Sequence, residues 1–317
     1  QDLELLALAQ KERPQMAAIV IVDPNDAETV VAVEAHRPFA CMEKPLKLDQ
    51  LLLMVQKAVD YNDAALKNNV NLNLQMESAN RFEGVVAESP ALRKVCEMMS
   101  RVSATDVMIL ITGESGVGKT TIAKTVHANS KRSKGPIVIC RCDAPDVELQ
   151  LFGTKDTKGL LERAEKGSLL LREVGNLPFL VQGRLLQAVQ KKQASVDGTR
   201  EFPVDVRIIA STSHNLQEMV TEGTFSQELY RVLRIITLQI PPLRERPEEI
   251  LPLLRHLVQK AAGPSGTLPV LSNEAVKVLE SCPWPGNVRQ MEQVLGQAIK
   301  KAAGKPVMPA HLPALPH

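Results

Sequence analysis

One stretch decides the fold of this chain: Gly113-Glu114-Ser115-Gly116-Val117-Gly118-Lys119-Thr120. The apolar, β-branched run Val107–Thr112 precedes it and predicts a buried strand. The residues that follow, Thr121–Ala128, predict a helix. A strand, a glycine-rich loop and a helix in this order are typical of an α/β phosphate-binding unit.

Such a loop holds a polyphosphate because its backbone N–H groups and the helix N-terminus face the anion. We therefore expect ATP or ADP to bind here, with Lys119 at the β- and γ-phosphates and the Thr120 hydroxyl on Mg²⁺. A glycine-rich turn that fits the pattern by chance is the alternative. The predicted nucleotide-binding residues of the loop are Gly113, Glu114, Ser115, Gly116, Val117, Gly118, Lys119, Thr120 and Thr121.

Composition indicates a globular chain of about two domains, with 317 residues, 44% of them hydrophobic and 23% charged. The net charge of +2 arises from mixed charges and gives no whole-chain argument for nucleic-acid binding. No apolar run is long enough to span a membrane, and we expect a cytoplasmic protein. The five cysteines are expected to be buried free thiols, with Cys140 and Cys142 on opposite faces of a strand rather than a redox or zinc pair.

The first 61 residues predict alternating strands and helices, with strands at Ala17–Val22 and Pro38–Met42 and a helix from Leu48. This order implies a parallel sheet, but only half a domain. The segment resembles the second half of a response-regulator receiver domain, a flavodoxin-like fold of two-component systems. The resemblance implies that Lys44 senses phosphate on an aspartate upstream of residue 1, so the chain is expected to be a fragment. A surface lysine before Pro45 is the alternative interpretation.

Residues 62–84 predict a linker helix. Asn62, Asn69 and Asn73 continue the heptad positions of the preceding apolar residues, as in a helix that pairs in a dimer. A solvated linker would have much the same sequence.

From about Val85 to His317 the chain resembles the AAA+ domain of NtrC-type bacterial enhancer-binding proteins, which remodel RNA polymerase carrying sigma-54. The resemblance implies an α/β nucleotide-binding domain at 85–248 and a helical lid at 249–317. The motifs that carry it are Gly113-Glu114-Ser115-Gly116, Leu151-Phe152-Gly153, Val206-Arg207-Ile208-Ile209-Ala210, Pro241-Pro242-Leu243-Arg244-Glu245-Arg246 and Trp284-Pro285-Gly286-Asn287-Val288-Arg289.

Only some of the residues that act on the nucleotide in this family have counterparts in the chain. The resemblance implies that Arg289 is the lid arginine that reaches the nucleotide and that Thr212 is a catalytic sensor residue. Glu173 matches the acid that orients the attacking water. Before it, however, Arg172 replaces the aspartate of the magnesium shell, and Arg141 replaces the asparagine that switches the glutamate. We therefore expect Glu173 not to be productive, with Arg172 either contacting phosphate or facing solvent.

Two further features of the family are missing. Ser226 and Val232 occupy the two arginine-finger positions, and Arg231 lies one residue away, which turns it by about 100° on a helix. The GAFTGA loop that contacts the sigma factor is replaced by the short polar connection Thr154–Lys158.

These patterns predict a transcription regulator that binds nucleotide without hydrolysing it and does not activate sigma-54. It resembles divergent members of the VpsR and FleQ type, which respond to cyclic di-GMP, although only the bases Lys124 and Arg81 support that ligand. Expected partners are RNA polymerase, DNA through a helix-turn-helix domain absent from this fragment, and other copies of the chain in a dimer or higher oligomer. Two alternatives remain: a working ATPase that uses Arg231 or Arg234, and an interaction module that binds no nucleotide.

Overall fold

The computed structural model describes residues 17–23, 33, 39–46, 50–59, 85, 87–196, 200–262 and 269–315. The predicted linker at 62–84, with its three asparagines and Arg81, lies outside these residues. Within them, no helix is long and apolar enough to cross a membrane.

The N-terminal part contains two short strands, β1 (Ile19–Val22) and β2 (Ala40–Glu43), which pair in parallel as predicted. Residues 50–59 are helical. Phe39 and Met54 pack against the apolar core of the main domain. Cys41 is exposed because it lies on the solvent-facing side of β2, so the prediction of a buried thiol is wrong there.

The prediction for Cys140 and Cys142 was also wrong in its geometry. Both side chains are buried and free, and their thiols are hydrogen-bonded to each other. Residues two apart on an extended chain point to the same face, so the two thiols meet.

The main domain alternates helices and strands, as a doubly covered parallel sheet requires. Its elements, in chain order, are α1 (Pro90–Ser103), β3 (Ile109–Thr112), α2 (Lys119–Ala128), β4 (Ile137–Arg141), α3 (Val147–Phe152), α4 (Leu160–Arg163), β5 (Ser168–Arg172), α5 (Phe179–Lys191), β6 (Gln193–Val196), β7 (Arg200–Pro203), β8 (Arg207–Thr212), α6 (Leu216–Thr221), α7 (Gln227–Leu233) and β9 (Thr237–Gln239). The hairpin β6–β7 is antiparallel.

The central sheet has the strand order β4-β5-β8-β3-β9, with every pair parallel. Ile109 and Ile111 face one apolar cluster and Leu110 faces the other, because side chains alternate along a strand and helices cover both faces. Register pairs Thr112 with Thr212, and Ser211 with Arg172. The carboxyl ends of β3, β8 and β5 therefore form one row, where ligands of such sheets bind.

The C-terminal lid contains α8 (Ile250–Ala262), α9 (Asn273–Ser281) and α10 (Asn287–Ala302). Trp284 is fully buried at its centre, and its indole N–H donates to the Leu279 carbonyl at 2.9 Å. A buried aromatic ring whose N–H has a partner is a stable anchor. The sequence predicts packing helices at Leu251–Ala262, Asn273–Ser281 and Asn287–Ala303, and all three are confirmed to within one residue.

Candidate nucleotide-binding site

The glycine loop lies against the lid as well as at the end of β3. Gly116 has φ of +83°, and a Cβ there would come within 2.3 Å of the Gly286 carbonyl of the lid. At Gly113, with φ of +147°, a Cβ would meet the Ile240 carbonyl at 2.6 Å. Both positions therefore require glycine for packing between segments, in addition to any approach to phosphate.

Lys119 begins α2, and its side chain turns back over the loop. Its Nζ donates to the carbonyls of Gly113 at 2.7 Å and Glu114 at 3.1 Å and lies 3.3 Å from Glu173 Oε1. Burial lowers the pKa of Lys119, the carboxylate of Glu173 opposes this shift, and the charges of Arg289 and Arg172 add to it. Lys119 is thus paired with one acid and lies within the electrostatic range of two further cations.

Glu173 follows β5 with left-handed backbone angles, φ 54° and ψ 57°. Its Oε2 accepts two hydrogen bonds from Ser213, one from the backbone N–H at 2.8 Å and one from Oγ at 2.7 Å. Burial tends to raise the pKa of Glu173, but the hydrogen bonds of Ser213 and the charge of Lys119 hold it below its usual value. Sequence reasoning missed Ser213, whose only signal was its place directly after Thr212.

Three predicted threonines lie at the edges of the site. Thr212 ends β8, is fully buried, and its Oγ1 accepts from the His214 N–H at 3.0 Å. Thr120 is half-buried in the first turn of α2, and Thr121 is exposed. Thr212 therefore lies beside Thr112, at the end of the strand that leads into the loop, while Thr121 points away from the interior.

Glu114 connects the loop to the lid. Its carboxylate accepts from both terminal nitrogens of Arg244, at 2.6 and 2.9 Å, and from Asn287 Nδ2 at 3.1 Å. The hydrogen bonds from Arg244 and Asn287 lower the pKa of Glu114. Asn287 also binds the Ser115 carbonyl and accepts from the Leu243 N–H, so one buried amide joins three segments.

Arg289 approaches the loop from the first turn of α10. Its Nη1 lies 3.4 Å from Ser115 Oγ, and its backbone N–H donates to the Gly116 carbonyl at 3.3 Å. A cleft of about 540 Å³ opens between the loop, Ser213 and the lid. The structure therefore brings together the predicted residues Lys119, Arg289 and Glu173.

Arg172 and Arg141 are register partners at the ends of β5 and β4 but have different surroundings. Arg141 is 67% exposed and binds Asp143 at 2.9 Å. Arg172 is half-buried. Its charge lowers the pKa of Lys119. It also lowers the pKa of Asp143, but less than the hydrogen bond from Arg141 does. The described residues contain no group of three or more His, Cys, Asp or Glu side chains that could hold a metal ion.

Ser226 and Val232, at the positions where the resemblance implies arginine fingers, have structural contacts. Ser226 caps α7 through the Leu229 N–H at 3.3 Å, and its own N–H donates to Gln182 Oε1 at 2.7 Å. Val232 packs against the main core, and Arg231 is exposed. The fully buried Gln182, which the sequence did not single out, also donates to the carbonyls of Leu177 and Thr224.

The connection between α3 and α4 is a tight turn. Gly153 and Lys158 form a β-bridge, the Thr154 N–H donates to the Thr157 carbonyl at 3.0 Å, and the two threonine hydroxyls lie 2.8 Å apart. These bonds close the turn upon itself.

Comparison with known proteins identifies the two parts of this site. Residues 85–239 match the family described as "Sigma-54 interaction domain", and residues 244–316 match "AAA+ ATPase lid domain". Regulatory protein AtoC of Escherichia coli (strain K12) is 34% identical over 97% of this chain and 70% of its own length. The chain belongs to the NtrC-type family of transcription regulators. The regulator NtrC of the same strain is 33% identical over 98% of this chain and 68% of its own length.

Solved structures agree with the fold. NtrX from Brucella abortus in complex with ADP has a TM-score of 0.68 and 33% identity, over 98% of this chain and 73% of that one. The same protein in complex with ATP has a TM-score of 0.68 and 32% identity, over 98% and 74%. The predicted AAA+ α/β domain with a C-terminal helical lid is therefore confirmed.

Proposed function

We propose that this chain is a transcription regulator that binds ATP or ADP between its glycine loop and lid and does not turn it over. The observation that carries the proposal is the position of Lys119 over the glycine loop, with Glu173 Oε1 3.3 Å from its Nζ and the charges of Arg289 and Arg172 close enough to lower its pKa. Three cations suit a polyphosphate, and the backbone N–H groups of Gly113–Thr121 would supplement them. The crystallisation of NtrX with ADP and with ATP supports such binding in this fold.

The rate contributions of the missing catalytic groups are large enough to predict negligible hydrolysis. An arginine finger is worth about 10³–10⁵ in rate, and the two finger positions hold Ser226 and Val232. The magnesium-shell position holds Arg172, so Thr120 would be the remaining side-chain ligand of Mg²⁺ from the motif. Glu173 and Thr212 keep their places, but Ser213 and Lys119 occupy both oxygens of Glu173.

Arg172 would replace part of the charge that Mg²⁺ supplies elsewhere, because a guanidinium makes strong bonds with phosphate oxygens. The experiment is titration of ATP in Mg²⁺ and in EDTA, for the unaltered chain, Arg172→Gln and the matched control Arg141→Gln. We expect similar affinity in both media for the unaltered chain. In EDTA, Arg172→Gln should bind about tenfold more weakly, roughly 1.4 kcal/mol, and Arg141→Gln should not change.

Strict Mg²⁺ dependence of the unaltered chain, or equal behaviour of the two arginine variants, would refute the role of Arg172. Nucleotide binding itself would survive that result. It would be refuted if neither ATP nor ADP raised the unfolding temperature.

We further propose that the chain does not open sigma-54 promoters. The closed turn at 154–158 supports this, since it offers a short polar loop where the family has its sigma-contacting one. The partners would be RNA polymerase, other copies of the chain and DNA through a helix-turn-helix domain. Transcription from a sigma-54 promoter by the complete regulator would contradict the proposal.

Three finer assignments remain proposals. Lys44 is exposed after β2, at the position of a receiver phosphate sensor. The division into 1–61, 62–84, 85–248 and 249–317 is that of a receiver-like unit, linker, AAA+ domain and lid. Cyclic di-GMP has the least support, since Lys124 is simply an exposed residue of α2 and Arg81 is not described.

A working ATPase is the second candidate, favoured by the placement of Glu173 and Thr212 at the strand ends. It would need Arg231 or Arg234 to act in a neighbouring copy. An interaction module without nucleotide is the third, and the thermal measurement above decides it.

A further inference from the structure

A buried hydrogen-bonded chain connects the start of the main domain to the glycine loop. Ser89 precedes α1, and its Oγ donates to Glu249 Oε1 at 2.5 Å while accepting from the Leu92 N–H at 3.2 Å. The Ser89 backbone N–H donates to the same oxygen of Glu249 at 3.3 Å. Glu249 thus receives two bonds from the residue at which the chain enters α1.

The second half of this series of hydrogen bonds lies at the base of the lid. The other oxygen of Glu249 accepts from Arg246 Nη1 at 2.8 Å, and Arg246 Nη2 donates to the Val117 carbonyl at 3.0 Å. Ser89, Arg246 and Glu249 are 1%, 2% and 0% exposed. Burial raises the pKa of Glu249 and lowers that of Arg246, and their ion pair at 2.8 Å opposes both shifts.

The last hydrogen bond of this series, from Arg246 to the Val117 carbonyl, orients a peptide group in the loop. Because a trans peptide is planar, the Val117 carbonyl and the Gly118 N–H point in opposite directions. Arg246 holds the carbonyl on the inner side, which turns the Gly118 N–H to the other side. Gly118 has φ of +107°, a conformation that glycine adopts readily, and its own carbonyl accepts from the Ile122 N–H of α2, so the Arg246 bond restrains the peptide on its other side.

We propose that Ser89, Glu249 and Arg246 are positioning residues that orient the Gly118 N–H for phosphate, so that nucleotide affinity depends on how the chain enters the domain at Ser89. This inference rests on the proposed nucleotide binding. It gives the segment before Ser89 a physical route to the loop, through three side chains and one carbonyl.

The experiment compares Ser89→Ala with Ser272→Ala in the full 317-residue chain. Ser272 is a matched control, because it caps α9 through the Ala275 N–H at 3.1 Å and its carboxylate neighbour, Glu274, is exposed. Each variant loses one helix cap and should unfold at a lower temperature, with a larger drop for Ser89→Ala because it also removes a donor to the buried Glu249. Affinities for ATP and ADP are measured by calorimetric titration, and unfolding temperatures are measured without nucleotide.

We expect Ser89→Ala to weaken binding of both nucleotides by about fivefold or more, the lower end of typical coupling between sites. Ser272→Ala should leave both affinities unchanged. Glu249→Gln, which keeps the shape of Glu249 but removes its charge, should weaken binding further if it folds. Equal affinities in the two serine variants would overturn the inference alone, whereas no binding by the unaltered chain would overturn it together with the proposed function.

Discussion

The two sides of the candidate site are built differently. On the loop–lid side, Arg244 and Asn287 both donate to Glu114 across more than 100 residues of sequence, and Arg289 adds a further contact. On the strand-end side, Arg141 binds its near neighbour Asp143, while Ser226 and Val232 serve helix capping and core packing. The difference teaches that holding a nucleotide and hydrolysing it depend on separate sets of residues in this fold. Under the proposed function, this chain keeps the first set, whereas Arg172, Ser226 and Val232 stand where the resemblance implies residues of the second.

The largest expected effect comes from removing the cation of the loop–lid side. Lys119→Ala should weaken ATP and ADP binding by about 100-fold, roughly 2.7 kcal/mol, because Lys119 is the cation carried by the glycine loop itself. Lys124→Ala on the exposed face of α2 is the matched control and should bind normally. Calorimetric titration measures both. If Lys119→Ala bound nucleotide as tightly as the unaltered chain does, the contrast between the two sides of the site would be contradicted, since the loop would then not be a binding site.

Local features of this fold could be predicted from sequence. The strand Ile109–Thr112, the helix capped by Ser89 and the three lid helices follow from apolar periodicity and capping residues, which act over a few positions. The predicted meeting of Lys119, Glu173 and Arg289 came from a family resemblance, because their contacts join distant segments.

The missed contacts have a common physical cause. Ser213 reaches Glu173 across 40 residues, and Arg246 reaches the Val117 carbonyl across 129. No pattern in a single sequence encodes such pairs, because any exposed serine or arginine would have the same local signature. The error at Cys140 and Cys142 has a different cause, because the sequence was sufficient to avoid it. Side chains two residues apart on a strand lie on the same face, which places both thiols together.

A smaller effect is expected from the link between the loop and the lid. The hydrogen bonds of Arg244 and Asn287 lower the pKa of Glu114 from its usual 4.5, so the folded state favours the ionised form. The stabilisation is therefore present above about pH 4.5 and is lost as the pH falls through the lowered value. Glu114→Gln should cost at most about 1 kcal/mol at neutral pH, because the pair is largely exposed.

Thermal unfolding of the unaltered chain and of Glu114→Gln, followed from about pH 7 to about pH 3, measures this difference. It should be constant down to about pH 5 and shrink below it. A difference that grows on acidification would show that Glu114 does not act through an ion pair with the lid.

The central claim is that one site binds nucleotide firmly and does not turn it over. Its most direct test is phosphate release from ATP in Mg²⁺, at protein concentrations high enough for assembly, with the same sample shown by titration to be saturated. We predict saturable binding with release below about 10⁻³ s⁻¹ per chain, given the loss of about 10³–10⁵ expected without arginine fingers. Release at about 1 s⁻¹ or faster, within the ordinary range of enzymes, would contradict the account.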